Sequence, residues 1–168
     1  MPDASCMVAA VCAWHEHHGR AAREIEGRFR RGERMLVAAP ALIESYSVLT
    51  RLPAPHRLSP ADALALLDAN FMRAKIIALD ARSYVALLRR ATDDGIAGGQ
   101  TYDAVIATCV LKAKAHALLT FNADHFRSVA EKGKECRRPG GRSGVRRQAT
   151  PDPAATEGSV PWMGPREG

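Results

Sequence analysis

The sequence predicts an α/β protein built on a parallel sheet. Short aliphatic runs, of the length and composition of buried strands, alternate along the chain with longer segments of helical periodicity. Strand, helix and strand in succession form the repeating unit of parallel sheets. The chain has 168 residues, of which 46% are hydrophobic and 25% charged, and these values are typical of a single globular domain rather than a disordered or fibrous chain.

Three runs are predicted to be strands: residues 35–38, 75–79 and 117–120, each rich in Val, Ile, Leu or Ala. An apolar helix-like stretch covers residues 7–14, ahead of the first strand. Its Trp14, together with the other aromatic residues at apolar helical positions, is predicted to lie in the core. Those other residues are Phe29, Tyr46 and Phe71.

The remaining helices are predicted from their start and stop signals. Pro40 opens a helix over 41–52 that must end at Pro53. Ser59, followed by a proline and then by an acid three residues on, has the pattern of an N-cap and opens a helix to about residue 71. Asp80 caps a further helix that ends near residues 93–95, and an amphipathic helix over 102–114 follows a Gly-Gly break.

A boundary is predicted near residue 130. Beyond it the apolar periodicity is lost, and Gly, Pro and Arg dominate. We therefore assign residues 1–130 to the folded domain and expect 131–168 to be a disordered, basic tail. The tail carries 8 Lys and Arg against 5 Asp and Glu, so its formal net charge is +3, out of +6 for the whole chain. This charge is compatible with a polyanionic partner but indicates no particular chemistry.

The cysteines and the absence of long apolar runs indicate an intracellular protein. Four cysteines, Cys6, Cys12, Cys109 and Cys136, are far apart without a CxxC pair, and two of them lie in apolar helical patterns as buried free thiols do. No run approaches the ~18 apolar residues of a membrane span, and no export signal is recognised at the start. We expect a cytoplasmic protein that does not associate with membranes.

Four acids occupy positions where chemistry is expected. Asp3 precedes the first helix-like stretch, Glu44 and Asp103 lie within apolar helical segments, and Asp124 follows the third predicted strand. Ligands of α/β sheets bind beyond the carboxyl ends of strands, and several acids that converge there require a compensating cation. Oxygen ligands without a His or Cys cluster favour Mg²⁺ or Mn²⁺ over zinc. Taken singly, Asp3 or Asp124 is better explained as a helix cap or a surface acid than as a site residue.

Four stretches of the chain resemble the four blocks of a PIN domain. Their order along the chain and their residue sequences are similar to those of VapC-type toxins from toxin–antitoxin pairs. The stretches are residues 2–5, 39–53, 98–107 and 119–126, so that the resemblance covers about residues 2–127. It implies a three-layer α/β sandwich with a central parallel sheet and helices on both faces. It also implies an acidic pocket for Mg²⁺ or Mn²⁺, hydrolysis of RNA of the tRNA or rRNA class, a cognate VapB-like antitoxin and a homodimer.

The resemblance assigns three acids directly, with Asp3 as the first, Glu44 as the second and Asp103 as the third. Two residues compete for the fourth position, because the matching residue is the amide Asn122 while the nearby carboxylate is Asp124. The chemistry that fits is metal-assisted phosphodiester hydrolysis, in which the carboxylates hold the ion and the ion activates a water. Ser5 and Thr120 are expected to hydrogen-bond the carboxylates or the phosphate.

Two features of the chain depart from the family pattern. Only Met1 and Pro2 precede Asp3, so the strand expected before the first acid is missing or begins upstream. After Phe126, where a last strand is expected, residues 134–141 have a composition closer to an out-of-frame extension. An alternative function is therefore a catalytically impaired, truncated or frameshifted PIN-like protein that acts as an antitoxin- or RNA-binding module.

The run from His15 to His18 resembles a metal cluster, but only its two end histidines share a helical face. We interpret it as a solvated surface turn, with a minor RNA-contact role left open.

Overall fold

The computed structural model describes residues 1–126 and 135–140. Six α-helices and four short strands form the described part of the domain, and from residue 36 to residue 119 the order of α-helices and strands follows the prediction. The helices are α1 (Ala4–Val11), α2 (His18–Arg30), α3 (Ala39–Arg51), α4 (Pro60–Leu67), α5 (Ala81–Asp93) and α6 (Gln100–Lys112). The strands are β1 (Leu36–Ala38), β2 (Lys75–Ile77), β3 (Ala117–Leu119) and β4 (Glu135–Arg137).

The helix starts are set by the caps that the sequence indicates. The side chain of Ser59 accepts a hydrogen bond from the backbone N–H of Asp62 at the start of α4, and Asp80 does the same for Ser83 in α5. A π-helical turn over Asp68–Met72 continues α4, and a 3₁₀ turn over Ala123–Phe126 follows β3. The predicted helix over residues 7–14 is wrong in its bounds, because α1 begins at Ala4 and ends at Val11.

The strands pair in parallel, as predicted for an α/β protein. Within the described residues they form two pairs: β1 with β2, in which Val37 lies opposite Ile76, and β3 with β4, in which Leu118 lies opposite Cys136. The α-helices that connect them pack around a core whose largest fully buried side chains include Met7, Phe71 and Phe126. Burial of each such side chain stabilises the fold by about 1.5–3 kcal/mol.

The first three residues of the chain pair with β3, at the position where the family pattern has a strand before the first acid. Pro2 forms a parallel bridge with Leu119 of β3. The N–H of Leu119 donates to the carbonyl of Met1, and the N–H of Asp3 donates to the carbonyl of Leu119, both at 2.9 Å. Three residues therefore suffice to extend the β3–β4 pair on the other side, because backbone groups alone make these bonds.

The expectation that no strand follows Phe126 is wrong for Glu135–Arg137, which form β4. Composition fails here because the strand is held by partners distant in sequence, the backbone of β3 and charged side chains of α2. The remaining residues of the tail expected to be disordered, 131–134 and 141–168, lie outside the described part of the chain.

Among the aromatic residues predicted to be core, Phe71 is fully buried and Phe29 and Tyr46 are partly buried. Trp14 was predicted wrongly, because its side chain is 46% exposed and its ring stacks on that of His56 with centroids 4.1 Å apart. Its position beyond the end of α1 removes it from the helical face on which the prediction relied. The four cysteines are free, as expected. Within the described ranges, no helix is both long and apolar enough to cross a bilayer.

Candidate active site

An open pocket of about 440 Å³ lies where the start of the chain and β3 end side by side. Three of the four predicted acids, Asp3, Glu44 and Asp103, line it together with Asn122. The described residues that complete its walls are Ala4, Ser5, Val8, His15, Glu16, His17, Val48, Phe121 and Arg138. The structure thus brings together acids from the start of the chain, from α3 and from α6.

Asp3 is the most deeply buried of these acids, with 2% of its surface exposed. Its Oδ1 accepts hydrogen bonds from the Ser5 hydroxyl and the Cys6 N–H, both at 2.8 Å, and its Oδ2 accepts one from the Thr120 hydroxyl at 2.6 Å. Burial raises the pKa of Asp3, while these three donors act in the opposite direction. Asp3 is therefore the N-cap of α1 and a pocket acid at once, so the two interpretations of this residue are compatible.

Glu44 lies in the middle of α3 and is half-buried. Desolvation raises its pKa, and the negative charges of Asp103 and Asp3 raise it further. Its Oε2 is buried and, within the described residues, has no hydrogen-bond partner. A buried carboxylate oxygen that faces two further acids without a donor is a place where a cation would lower the free energy.

Asp103 lies in the first turn of α6, and its side chain is 16% exposed. Its Oδ2 lies 2.8 Å from Nδ1 of His125, which the 3₁₀ turn after β3 presents. His125 was not singled out from the sequence, although it immediately follows Asp124 in the fourth family-like block. This contact restrains the orientation of the Asp103 carboxylate.

The two candidates for the fourth position occupy different places. Asn122 is an exposed residue that lines the pocket, and its N–H donates to the Thr120 hydroxyl at 2.8 Å. Asp124 is exposed on the 3₁₀ turn and is absent from the described lining of the pocket. Ser5 and Thr120 contact Asp3, in agreement with the expectation for hydroxyl neighbours.

Sequence reasoning underestimated the histidine run. His15–His17 form the predicted turn and His18 begins α2, but His15 and His17 line the pocket, and the His17 ring stacks on Phe121 with centroids 4.5 Å apart. Burial and the neighbouring His17 lower the pKa of His15, which favours its neutral form. The side chain of His18 turns away and lies 3.1 Å from the carbonyl of Ala9. No sequence signal shows which side of a turn faces a site.

The donors in the pocket fit a hard divalent cation. The oxygen donors are carboxylates and an amide, the imidazoles of His15 and His17 lie on the same wall, and the unpartnered Oε2 of Glu44 marks where positive charge is lacking. Across residues 1–126 and 135–140, no three His, Cys, Asp or Glu side chains form a ready-made ion site.

Comparison with known proteins identifies the family of this chain. The family model described as PIN domain matches residues 1–132. Ribonuclease VapC40 of Mycobacterium tuberculosis, in strains CDC 1551 / Oshkosh and ATCC 25618 / H37Rv, is 41% identical over 119 residues, or 71% of this chain and 83% of the relative. Ribonuclease VapC27 of strain ATCC 25618 / H37Rv is 36% identical over 107 residues, or 64% of this chain and 66% of the relative. Because the family model covers more than half of its residues, the chain belongs to the PIN-domain family, and its relatives there are VapC-type ribonucleases.

Proposed function

We propose that this protein is the toxin of a toxin–antitoxin pair and acts as a divalent-metal-dependent endoribonuclease that hydrolyses RNA phosphodiester bonds. The observation that carries the proposal is the convergence of Asp3, Glu44 and Asp103 on one pocket, with a buried oxygen of Glu44 left without a donor. The relatives named as VapC ribonucleases support the same reaction.

Asp3, Glu44 and Asp103 would hold the ion, and Asn122 is the better candidate for the fourth position because it lines the pocket. Mg²⁺ or Mn²⁺ suits these oxygen ligands, and when bound it supplies an acidified water and offsets charge on the phosphate. The residues around the acids keep them in place: Ser5 and Thr120 hold Asp3 through hydrogen bonds of 2.8 and 2.6 Å. His125 restrains Asp103 in the same manner.

The finer expectations from the resemblance belong to this proposal. We infer a three-layer arrangement with helices on both faces of one central parallel sheet, a VapB-like antitoxin as partner, a homodimer and a cytoplasmic location. RNA of the tRNA or rRNA class is the inferred substrate. The alternative, an impaired binding module, rests on a missing first strand and an atypical last segment, whereas the Met1–Asp3 backbone and Glu135–Arg137 both pair with β3.

The first experiment measures Mn²⁺ binding by calorimetry and Mn²⁺-dependent cleavage of a mixed-sequence RNA pool, for the wild type and for Glu44→Gln and Asp103→Asn. We expect both variants to lose ion binding and cleavage, because each removes a charged oxygen ligand. Asp93→Asn on the exposed end of α5 is the matched control and should behave like the wild type. Cleavage that persists in Glu44→Gln or Asp103→Asn would contradict the proposed function.

The fourth position is tested by comparing Asn122→Ala with Asp124→Asn in the same titration. Because Asn122 lines the pocket, its truncation should weaken Mn²⁺ binding, whereas Asp124→Asn should leave the affinity close to that of the wild type. The reverse result would assign the fourth position to Asp124.

A further inference from the structure

The segment that contains β4 carries a cationic side chain to the acidic pocket. β4 extends β3 in parallel register, and the hydrogen bond from the N–H of Thr120 to the carbonyl of Arg137, at 3.0 Å, continues the ladder to its end. The next residue, Arg138, therefore emerges at the carboxyl end of β4, beside the residues that follow β3. Its Nη2 donates to the carbonyl of Phe121 at 2.8 Å, and Arg138 lines the pocket.

Several contacts fix this segment on α2. Glu135 lies 3.3 Å from Arg28, and Arg137 lies 3.3 Å from Glu24. Nε of Arg20 donates to the carbonyl of Pro139 at 3.0 Å, and Pro139 is fully buried. These contacts lie on both sides of Arg138, so its position is set by the fold rather than by a loose chain end.

The charge of the pocket gives Arg138 a specific role. Four acids line the pocket, Asp3, Glu16, Glu44 and Asp103, and within the described lining Arg138 is the one side chain with a permanent positive charge. The phosphates of an RNA strand are repelled by the acids and need a donor of opposite charge. The hydrogen bond to Phe121 uses one of the five N–H donors of the guanidinium, which leaves others for a phosphate.

We propose that Arg138 binds a backbone phosphate of the RNA substrate, which makes residues 135–140 part of the active site. This inference rests on the proposed ribonuclease function and goes beyond the family match, which ends at residue 132. The contact holds the strand against the acids and is independent of base identity.

The test compares Arg138→Met and Arg138→Lys with Arg89→Met in the full chain. Arg89→Met is the matched control, because it removes the same charge from an exposed position on α5 outside the described pocket lining. The probe is a mixed-sequence pool of short single-stranded RNA, with Mn²⁺, and KM and kcat are measured over a series of salt concentrations. RNA affinity is measured in parallel in the Asp103→Asn background.

For Arg138→Met we expect KM to rise about tenfold, with kcat changed about twofold at most, because a charge-assisted hydrogen bond to substrate is lost. The slope of log affinity against log salt should fall by about 0.7, the contribution of one phosphate contact on a single strand. Arg138→Lys should keep the salt slope but recover only part of KM, because it keeps the charge and loses the planar fork. Arg89→Met should match the wild type.

Arg138→Met with the KM and salt slope of Arg89→Met would overturn the inference while leaving the ribonuclease proposal intact. A wild type that neither binds nor cleaves the RNA pool would overturn both. A fall in thermal stability of Arg138→Met without a change in salt slope would show a purely structural role and would also overturn the inference.

Discussion

Replacement of Thr120 by Val tests how the first acid is held. The two side chains have nearly the same shape, so the change removes a hydroxyl without opening a cavity. That hydroxyl is fully buried, donates to Oδ2 of Asp3 at 2.6 Å and accepts from the N–H of Asn122 at 2.8 Å. Thr120→Val therefore removes a hydrogen bond to a buried carboxylate and leaves an N–H without its partner.

The size of the effect follows from these two contacts. A hydrogen bond to a charged group contributes about 1.5–3 kcal/mol, and an amide left unsatisfied costs about a further 1 kcal/mol. The added methyl group of Val offsets part of this loss by about 0.5–1 kcal/mol. We expect the free energy of unfolding to fall by about 2–3 kcal/mol, which for a chain of this length lowers Tm by about 4–12 °C.

The assay is urea and thermal denaturation in the presence of a chelator, and Thr108→Val is the matched control. The Thr108 hydroxyl donates to the carbonyl of Ala104 within its own helix, so its loss should change stability by about 0.5 kcal/mol or less. The Thr120 donor lowers the pKa of Asp3 against the effect of burial, so the difference between Thr120→Val and wild type should increase with pH as Asp3 ionises. A Thr120→Val protein as stable as Thr108→Val at neutral pH would refute this account.

Two further predictions concern the pocket and its last segment. Burial and two neighbouring acids raise the pKa of Glu44, so the folded protein binds more protons than the unfolded chain just above pH 4.5, and the metal-free wild type should lose stability as pH rises there. Burial also raises the pKa of Asp3, so metal-free Glu44→Gln should show a smaller loss rather than none, and it should melt at a higher temperature than wild type at neutral pH. A lower Tm would contradict the repulsion. Gly140 has φ +76°, and a Cβ there would lie 2.7 Å from Nε of Arg20, whereas Gly95 has φ +65° and open space around it within the described residues. Both Ala substitutions should lower the free energy of unfolding by about 1–2 kcal/mol, because each places a Cβ at positive φ. Only Gly140→Ala should also raise KM for RNA. Equal KM values for the two variants would show that the Arg20 contact does not position Arg138.

The helix starts and the unusual setting of Glu44 could be predicted because their signals are local. Asp80 caps its helix through a bond to a residue three positions on, and Glu44 is conspicuous as a charge among apolar neighbours. β4 could not be predicted, because its stability depends on contacts such as that between Arg28 and Glu135, which are 107 positions apart. Likewise, the choice between Asn122 and Asp124 depends on how a 3₁₀ turn directs side chains two residues apart, which spacing alone does not determine.

The pocket is assembled from both ends of the described chain because parallel strands present their carboxyl ends at one edge. The segment Met1–Asp3, β3 and β4 run side by side, with β3 in the middle. At their carboxyl ends lie Asp3, then Thr120 and Asn122, and then Arg138. Helices α3 and α6 supply the other two acids, Glu44 and Asp103. The acids alone would repel both one another and an RNA backbone. A cation relieves the first repulsion and Arg138 the second, so the same edge that concentrates negative charge also carries the groups that allow a phosphate to approach it.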